Sequence, residues 1–363
     1  AIAGFAPLTA IGLYSCGRRF FSTGAGWLAA LVYLTSPWTY RISIIAYAEG
    51  ALACYVFASL YAALLYQRRM TEAESAANPK PVTVLAGLLA GSAMACKYTG
   101  LVLVVIPVGV LILWMTAVRT RVNRVRDIVA VGLLFSLGVT FGVGPWLLKN
   151  TVETGNPVYP LAYRVFGGVD RDEVLDAKWR KGHAAETFST WSARFHDLSE
   201  KLCDVSARND WHGPLMFGLA PLTILVLSRR RAAGKGDSTQ PVYQAGLVGV
   251  IWLYAIWQFL AWWLLMHRVD RFYVPMFSVV ALLAGVGARW WESPGRLLKP
   301  PASAIWNTLL AITIAASLLF NAEIMLFVGG FNAGRMDLVA ARDQSVLRVV
   351  FPRIGWLNRE FLT

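Results

Sequence analysis

The sequence predicts an all-α fold, a polytopic membrane bundle of about ten helices with one long polar loop. Hydrophobic residues make up 56% of the 363 residues and charged residues only 15%, whereas a soluble domain carries about 25% charged residues. Most of the chain also falls into apolar stretches that approach the roughly 20 residues needed to cross a bilayer. A water-soluble globular protein is therefore excluded.

Polar residues and turn formers divide the chain into ten apolar runs. The runs cover residues 1–16, 24–38, 44–66, 82–96, 98–118, 128–148, 213–228, 243–265, 273–290 and 303–329. They predict six spans within 1–149, a loop with amphipathic helices over 150–212, four spans within 213–329 and a tail over 330–363. Runs such as 24–38 and 82–96 are short for a straight span, so their ends are less certain than their number.

The basic residues predict the orientation of the chain in the membrane, because cytoplasmic loops are enriched in Lys and Arg. Alternate connections hold sixteen basic residues, whereas the short connections on the other side hold four, namely Arg41, Lys97, Arg268 and Arg271. The first set is assigned to the cytoplasm, which places loop 150–212 and the tail outside. Topology also accounts for much of the net charge of +13, so nucleic acid is not an expected partner.

The predicted outer face carries the residues on which chemistry could be built. All four histidines lie there, at positions 183, 196, 212 and 267, and the cytoplasmic loops contain none. Within the long loop, apolar residues recur at steps of three and four from Phe188 to Leu202. This spacing predicts a helix that either covers the bundle or acts as a lid over a lipid substrate. The run of turn formers from Gly155 to Pro160 marks a bend after a span.

Charged residues at membrane edges form the candidate site, because such residues usually have a partner or a function. Glu49 lies near the outer end of the third run, Lys97 lies in a tight outer turn, and Arg268 and Arg271 precede Pro275. Lys97 and the two arginines could together hold an anionic lipid head group, since Arg and Lys are the usual phosphate ligands. A purely structural ion-pair network, with Glu49 paired to Arg41, is the alternative.

Several of these stretches occur in an order that resembles the GT-C membrane glycosyltransferases. The resemblance is to the protein-mannosyltransferase and aminoarabinose-transferase-like branch, glycosyltransferase family 39. It rests on residues 34–37, 46–49, 97–100, 144–146, 154–160 and 271–275.

The resemblance implies an enzyme that transfers a sugar from a polyprenyl-phosphate donor to an acceptor on the outer face of a bacterial inner membrane. It implies Glu49 as an acid of the site, Lys97 as the lysine of a short outer turn, and Arg271 with Tyr273 beside the donor phosphate. Substrate binding is further assigned to Tyr98, Arg268, Tyr159 and Arg41. The loop acids Asp170, Asp172 and Glu173 match no motif of the family, and only an acceptor-side role is assigned to them. Relatives carry their principal acid in the first outer loop, which is expected upstream of Ala1, so the isolated chain is expected to be inactive.

The partners implied are the donor, a lipid, glycan or protein acceptor, and membrane lipids. No cofactor is assigned, and a divalent metal remains open, because the histidines lack metal-ligand spacing such as HxxxH. The four cysteines are widely spaced and predict neither disulfides nor a zinc site. Two other functions remain open, a polytopic transporter and a polymerase or ligase that uses a lipid-linked glycan.

Overall fold

The computed structural model describes residues 2–71, 79–120, 124–169, 171–186, 188, 190–232, 239–292, 298 and 300–325. The predicted tail, residues 330–363, and Asp170 lie outside the described residues. Within the described ranges, all regular secondary structure is helical and no strand is present. The all-α prediction is therefore confirmed.

Fifteen α-helices are described, joined by short 3₁₀ and π-helical turns. They are α1 Phe5–Phe20, α2 Thr23–Thr35, α3 Pro37–Ile44, α4 Glu49–Thr71, α5 Lys80–Cys96, α6 Ile106–Arg119, α7 Arg124–Thr154, α8 Tyr163–Phe166, α9 Glu173–His183, α10 Trp191–Cys203, α11 Pro214–Leu219, α12 Ile224–Ala232, α13 Thr239–Leu265, α14 Phe277–Ala288 and α15 Ala302–Glu323.

The helical segments include six that are long and apolar enough to cross a membrane. They are Glu49–Met70, Leu101–Arg119, Arg124–Thr154, Tyr243–Leu265, Asp270–Ala288 and Ala302–Glu323. Three shorter apolar helices cover Thr23–Thr35, Lys80–Cys96 and Pro214–Ser228. The chain is an integral membrane protein, while the count of ten spans stays a prediction. The run at 24–38 is interrupted at Ser36, because Pro37 starts a new helix.

The described residues form two compact units. The first unit comprises the described residues within 2–47, 199–248 and 280–325, and the second comprises those within 48–198 and 249–279. In the first unit, α1 and α2 form a hairpin in which Gly17 and Gly26 meet, so that a methyl group on either would overlap the other helix. Ser22 caps α2, since its Oγ accepts from the backbone N–H of Ala25 at 3.0 Å.

In the second unit, α5 and α7 approach each other through glycines. Gly87 and Gly91 on α5 lie against the carbonyl oxygens of Phe135 and Val139 on α7, where a β-carbon would overlap them. Gly138 lies in the same way against the carbonyl of Val84. Small residues at steps of four allow membrane helices to pack backbone to backbone. This interface brings the end of α5 and the end of α7 into one compact body.

The connection from α5 to α6 contains a π-helical turn, Leu101–Val105, and Pro107 at the start of α6 has no backbone N–H to donate to this turn. Side chains of α13 donate to carbonyl groups of the turn instead. Tyr254 Oη and Gln258 Nε2 donate to the Leu103 carbonyl at 3.0 and 2.6 Å, and Trp257 Nε1 donates to the Val102 carbonyl at 2.9 Å. The turn that carries Lys97 is therefore fixed to α13 immediately behind it.

Candidate active site

The candidate site is built around a pair of opposite charges in the second unit. Glu49 is the first residue of α4, and Lys97 directly follows α5, where the backbone becomes extended. Lys97 Nζ donates to Glu49 Oε1 at 2.8 Å, although the two residues are 48 positions apart. The Glu49 side chain is only 5% exposed, whereas Lys97 is 23% exposed. The carboxylate is thus at the base of the pair and the ammonium group is nearer the surface.

Arg271 and Phe272 complete this group. Arg271 Nε lies 3.9 Å from Glu49 Oε1, and its side chain is 37% exposed. Lys97 Nζ lies 3.1 Å from the centroid of the Phe272 ring, so the ammonium group rests on the aromatic face. We call these four residues, Glu49, Lys97, Arg271 and Phe272, the Glu49 cluster. The structure therefore brings together three of the four charged residues of the predicted site, whereas Arg268 is paired with Asp197 and Glu186.

The electrostatics of the Glu49 cluster favour an anion. Two cations share one buried carboxylate, and the cations are the more exposed members. Burial lowers the pKa of Lys97 below its ordinary value, Glu49 raises it in part, and the neighbouring Arg271 lowers it again. A second anion placed beside Lys97 and Arg271 would therefore stabilise the charged form of the lysine.

Tyr98 follows Lys97 in the chain but has other partners. Its Oη accepts from Asn150 Nδ2 at 2.7 Å and from Trp146 Nε1 at 3.2 Å. Asn150 is buried at the end of α7 and also reaches the Pro157 carbonyl at 3.4 Å. The Tyr98 hydroxyl thus joins the Lys97 turn to the bend that follows α7.

The other predicted site residues of the second unit lie in different surroundings. Tyr273 is buried and packs edge-on against Trp262, with ring centroids 4.9 Å apart. Tyr159 lies in the turn after α7, beside Gly168. Asp172 caps α9 by accepting from the backbone N–H of Leu175 at 2.7 Å, and Glu173 is the first residue of that helix.

Arg268 is held by acids of the long loop. Its Nη1 donates to Asp197 Oδ1 and Oδ2 at 2.8 and 2.7 Å and lies 2.9 Å from Glu186 Oε2. The Arg268 side chain is only 5% exposed. The apolar spacing predicted that Phe188 belongs to a helix, but Phe188 precedes α10. Its ring stacks on Trp263, with centroids 6.2 Å apart. The helix itself begins at Trp191.

Arg41 belongs to the first unit and contacts two indole rings. Its guanidinium carbon is 5.1 Å from the Trp38 centroid and 4.8 Å from the Trp211 centroid. Its role in substrate binding stays a prediction. Among the residues that the structure describes, no group of three or more His, Cys, Asp or Glu side chains is arranged to hold a metal ion.

Sequence reasoning missed Asn150, Asp197 and Gln258 as supports of the site. Each acts through a contact with a distant part of the chain, and Asp197 is 71 residues from Arg268. The sequence contained only a weak indication of two of these residues. Asn150 and Gln258 are polar residues within apolar runs or at their edges, where an unpaired amide is costly.

The comparisons with known proteins agree with the helical architecture. No protein-family model matches the sequence, and no curated protein is a significant sequence match. Among solved structures, ArnT from Cupriavidus metallidurans in the apo state matches with a TM-score of 0.53 and 18% identity. The fold is ArnT-like. A second ArnT structure, bound to undecaprenyl phosphate, matches with a TM-score of 0.51 and 19% identity.

The ArnT-like fold covers most of this chain. Each match covers 91% of this chain but 51% of the ArnT chain, so this sequence spans about half the length of ArnT. The GT-C-like membrane fold implied by the resemblance is thereby confirmed. At this level of identity the likeness establishes the fold alone.

Proposed function

We propose that this chain forms the donor-binding part of a membrane glycosyltransferase. The enzyme would move a sugar from a polyprenyl-phosphate donor to a lipid, glycan or protein acceptor on the outer face of a bacterial inner membrane. The observation that carries the proposal is the Glu49 cluster, in which Lys97 and Arg271 converge on one buried carboxylate while remaining accessible. One of the ArnT structures that this fold resembles is bound to undecaprenyl phosphate, and this supports the same donor class.

The reaction requires groups that Lys97 and Arg271 can supply. The bond between the sugar anomeric carbon and the phosphate oxygen breaks, and the phosphate leaves with the bonding electrons. An acceptor oxygen or nitrogen bonds to the anomeric carbon and loses its proton to a base. Lys97 and Arg271 would stabilise the charge that develops on the departing phosphate, because preorganised cations bind it more tightly in the transition state than in the ground state.

Glu49 would orient the two cations. Its Oε1 atom faces both Lys97 and Arg271, and its side chain is almost fully buried. A carboxylate in this position attracts both the ammonium and the guanidinium group and so offsets their mutual repulsion. The base that accepts the proton would then be a residue other than Glu49.

Replacing Lys97 or Arg271 by Ala in the full-length protein tests the proposal. Each variant is expected to lower kcat/KM for a radiolabelled polyprenyl-phosphate sugar by about 100-fold, since a preorganised charge is removed. Arg126→Ala is the matched control, because Arg126 is exposed. Among the described residues, its ion pair is with the neighbouring Asp127, at 3.7 Å. Normal turnover in both site variants would contradict the proposal.

The same assay separates the alternatives. Label that crosses proteoliposomes without becoming attached to an acceptor would indicate a transporter. Label that accumulates in a growing glycan would indicate a polymerase. A single sugar attached to an acceptor is the expected result.

A further inference from the structure

Arg268 lies at the centre of a contact between the long loop and the end of α13. Asp197, in the second turn of α10, accepts from Arg268 Nη1 with both carboxylate oxygens. Asp197 Oδ2 also accepts from Trp263 Nε1 at 2.7 Å, and Arg268 Nε donates to the Trp263 carbonyl at 3.2 Å. The carboxylate therefore fixes the arginine and the tryptophan together.

Aromatic contacts surround this ion pair. The Arg268 guanidinium carbon lies 5.1 Å from the Phe188 centroid and 5.7 Å from the Trp263 centroid. Burial between rings makes the loss of a charge partner costly, because an unpaired guanidinium would remain in a poorly hydrated place. Asp197 is the less exposed of the two partners, since the Glu186 side chain is 60% exposed.

Only two residues lie between Arg268 and Arg271, and the backbone between them is tightly turned. The Val269 N–H donates to the His267 carbonyl at 2.9 Å, and the Phe272 N–H donates to the Val269 carbonyl at 2.9 Å. Trp262 Nε1 holds the Val269 carbonyl at 3.3 Å. Such a short turn leaves little freedom, so the placement of Arg268 determines the placement of Arg271 and Phe272.

We propose that Asp197 is a positioning residue of the site. It acts through Arg268 to hold the turn that presents Arg271 to the donor phosphate and Phe272 to the Lys97 ammonium. The inference rests on the proposed function, in which Lys97 and Arg271 bind that phosphate. It gives the long loop a part in donor binding, although the loop need not touch the donor, and it assigns Arg268 to support of the turn.

A double-mutant cycle with Asp197→Asn and Arg271→Ala tests this inference. The full-length protein is purified in detergent, and the Kd for undecaprenyl phosphate is measured. Asp197→Asn is expected to weaken binding about tenfold in the wild-type background, because Arg271 loses its fixed position. In the Arg271→Ala background the same substitution is expected to weaken binding clearly less than in the wild-type background, since Arg271 is already absent and only the contact of Phe272 with Lys97 remains to be disturbed.

Three further variants serve as controls. Asp197→Glu keeps a carboxylate and should restore most of the affinity, whereas Asp204→Asn, which affects an acid paired with Lys201 and Arg208, should leave the affinity unchanged. Arg268→Lys keeps the charge but loses the two-oxygen contact, and it should weaken binding in the same direction if Asp197→Asn does not fold.

The outcomes distinguish the two proposals. Equal weakening by Asp197→Asn in both backgrounds, or unchanged affinity in a folded Asp197→Asn protein, would overturn the positioning role. Unchanged affinity in Arg271→Ala alone would instead overturn the proposed function. The melting temperature of each variant identifies a loss of affinity that arises from unfolding.

Discussion

At the scale of single residues, the site depends on a lysine in an unusual environment. Lys97 contacts a carboxylate at 2.8 Å and the face of Phe272, and burial still lowers its pKa. Its ammonium group therefore loses its proton at a lower pH than an ordinary lysine. Desolvation is the larger effect here, since the nearby carboxylate only partly offsets it.

This shift predicts a pH dependence of donor binding. As pH rises through the lowered pKa, Lys97 becomes neutral, so kcat/KM for the donor should fall on the alkaline side before pH 10.5, the ordinary value for lysine. Lys97→Arg should move this fall to higher pH, because a guanidinium keeps its charge. The measurement is kcat/KM across the alkaline range in both proteins. Superimposable profiles would show that Lys97 does not cause the fall of kcat/KM at alkaline pH.

The sequence identified the charged residues of this group but could not reveal their surroundings. Isolated charges at the ends of apolar runs indicated Glu49, Lys97 and Arg271. The partner of Arg268 could not be found in this way, because Asp197 occupies the polar side of an amphipathic helix, as any solvated acid would. Only the fold distinguishes a buried acid from a solvated one.

At the scale of elements, the packing of α5 on α7 determines the geometry beneath the site. The two helices touch through Gly87, Gly91, Gly138 and Gly142, each of which lies against backbone atoms of the other helix. Hydropathy predicted both helices, but it could not predict this pairing. Glycine inside an apolar run indicates a close approach without identifying the partner.

Gly138→Ala is predicted to destabilise the protein, because its methyl group would overlap the Val84 carbonyl and push α5 from α7. A cost of about 2 to 4 kcal/mol is expected for an overlap with backbone, which cannot rotate away. Gly132→Ala in the same helix is the control, since its β-carbon would meet only Leu113 Cδ2 at an ordinary 3.6 Å. Thermal unfolding in detergent compares the two. Equal melting temperatures would argue against a tight α5 and α7 interface.

Another prediction concerns the short helical turn Asp210–His212 of the first unit. His212 Nδ1 lies 2.6 Å from the Val205 carbonyl, and burial lowers the pKa of His212 to about 4. The folded state thus favours the neutral ring, so the unfolded chain binds a proton first as pH falls below 6.5. The free energy of unfolding should therefore decrease as the pH is lowered from 6.5 to 4. His212→Gln should reduce this part of the dependence, measured as melting temperature against pH.

At the scale of the whole molecule, the sequence predicted a helical membrane protein, and its helices and ArnT-like fold confirm this. The orientation remains a prediction from the basic residues. It places the Glu49 cluster and the long loop outside, where a polyprenyl-phosphate donor would be used. Charge bias in loops reflects membrane insertion, and packing alone does not reveal which end of a helix faces the cytoplasm.

Cysteine labelling tests this orientation. Cys203, at the end of α10, is exposed, whereas Cys16 and Cys54 are buried. A membrane-impermeant maleimide added to intact spheroplasts should therefore label the protein, and Cys203→Ser should abolish most of the labelling. Labelling of Cys203 only after the membrane is made permeable would reverse the orientation and place the site on the cytoplasmic face.

The π-helical turn behind Lys97 has a mechanical consequence. Tyr254, Trp257 and Gln258 fasten that turn to α13, and the same helix leads at its far end into the residues that carry Arg271. Because α13 contacts the turn after Lys97 and leads into the turn that carries Arg271, this helix links the positions of the two cations. If α13 shifts, the turn after Lys97 and the turn that carries Arg271 are therefore expected to move together, so that the distance between the two cations changes little.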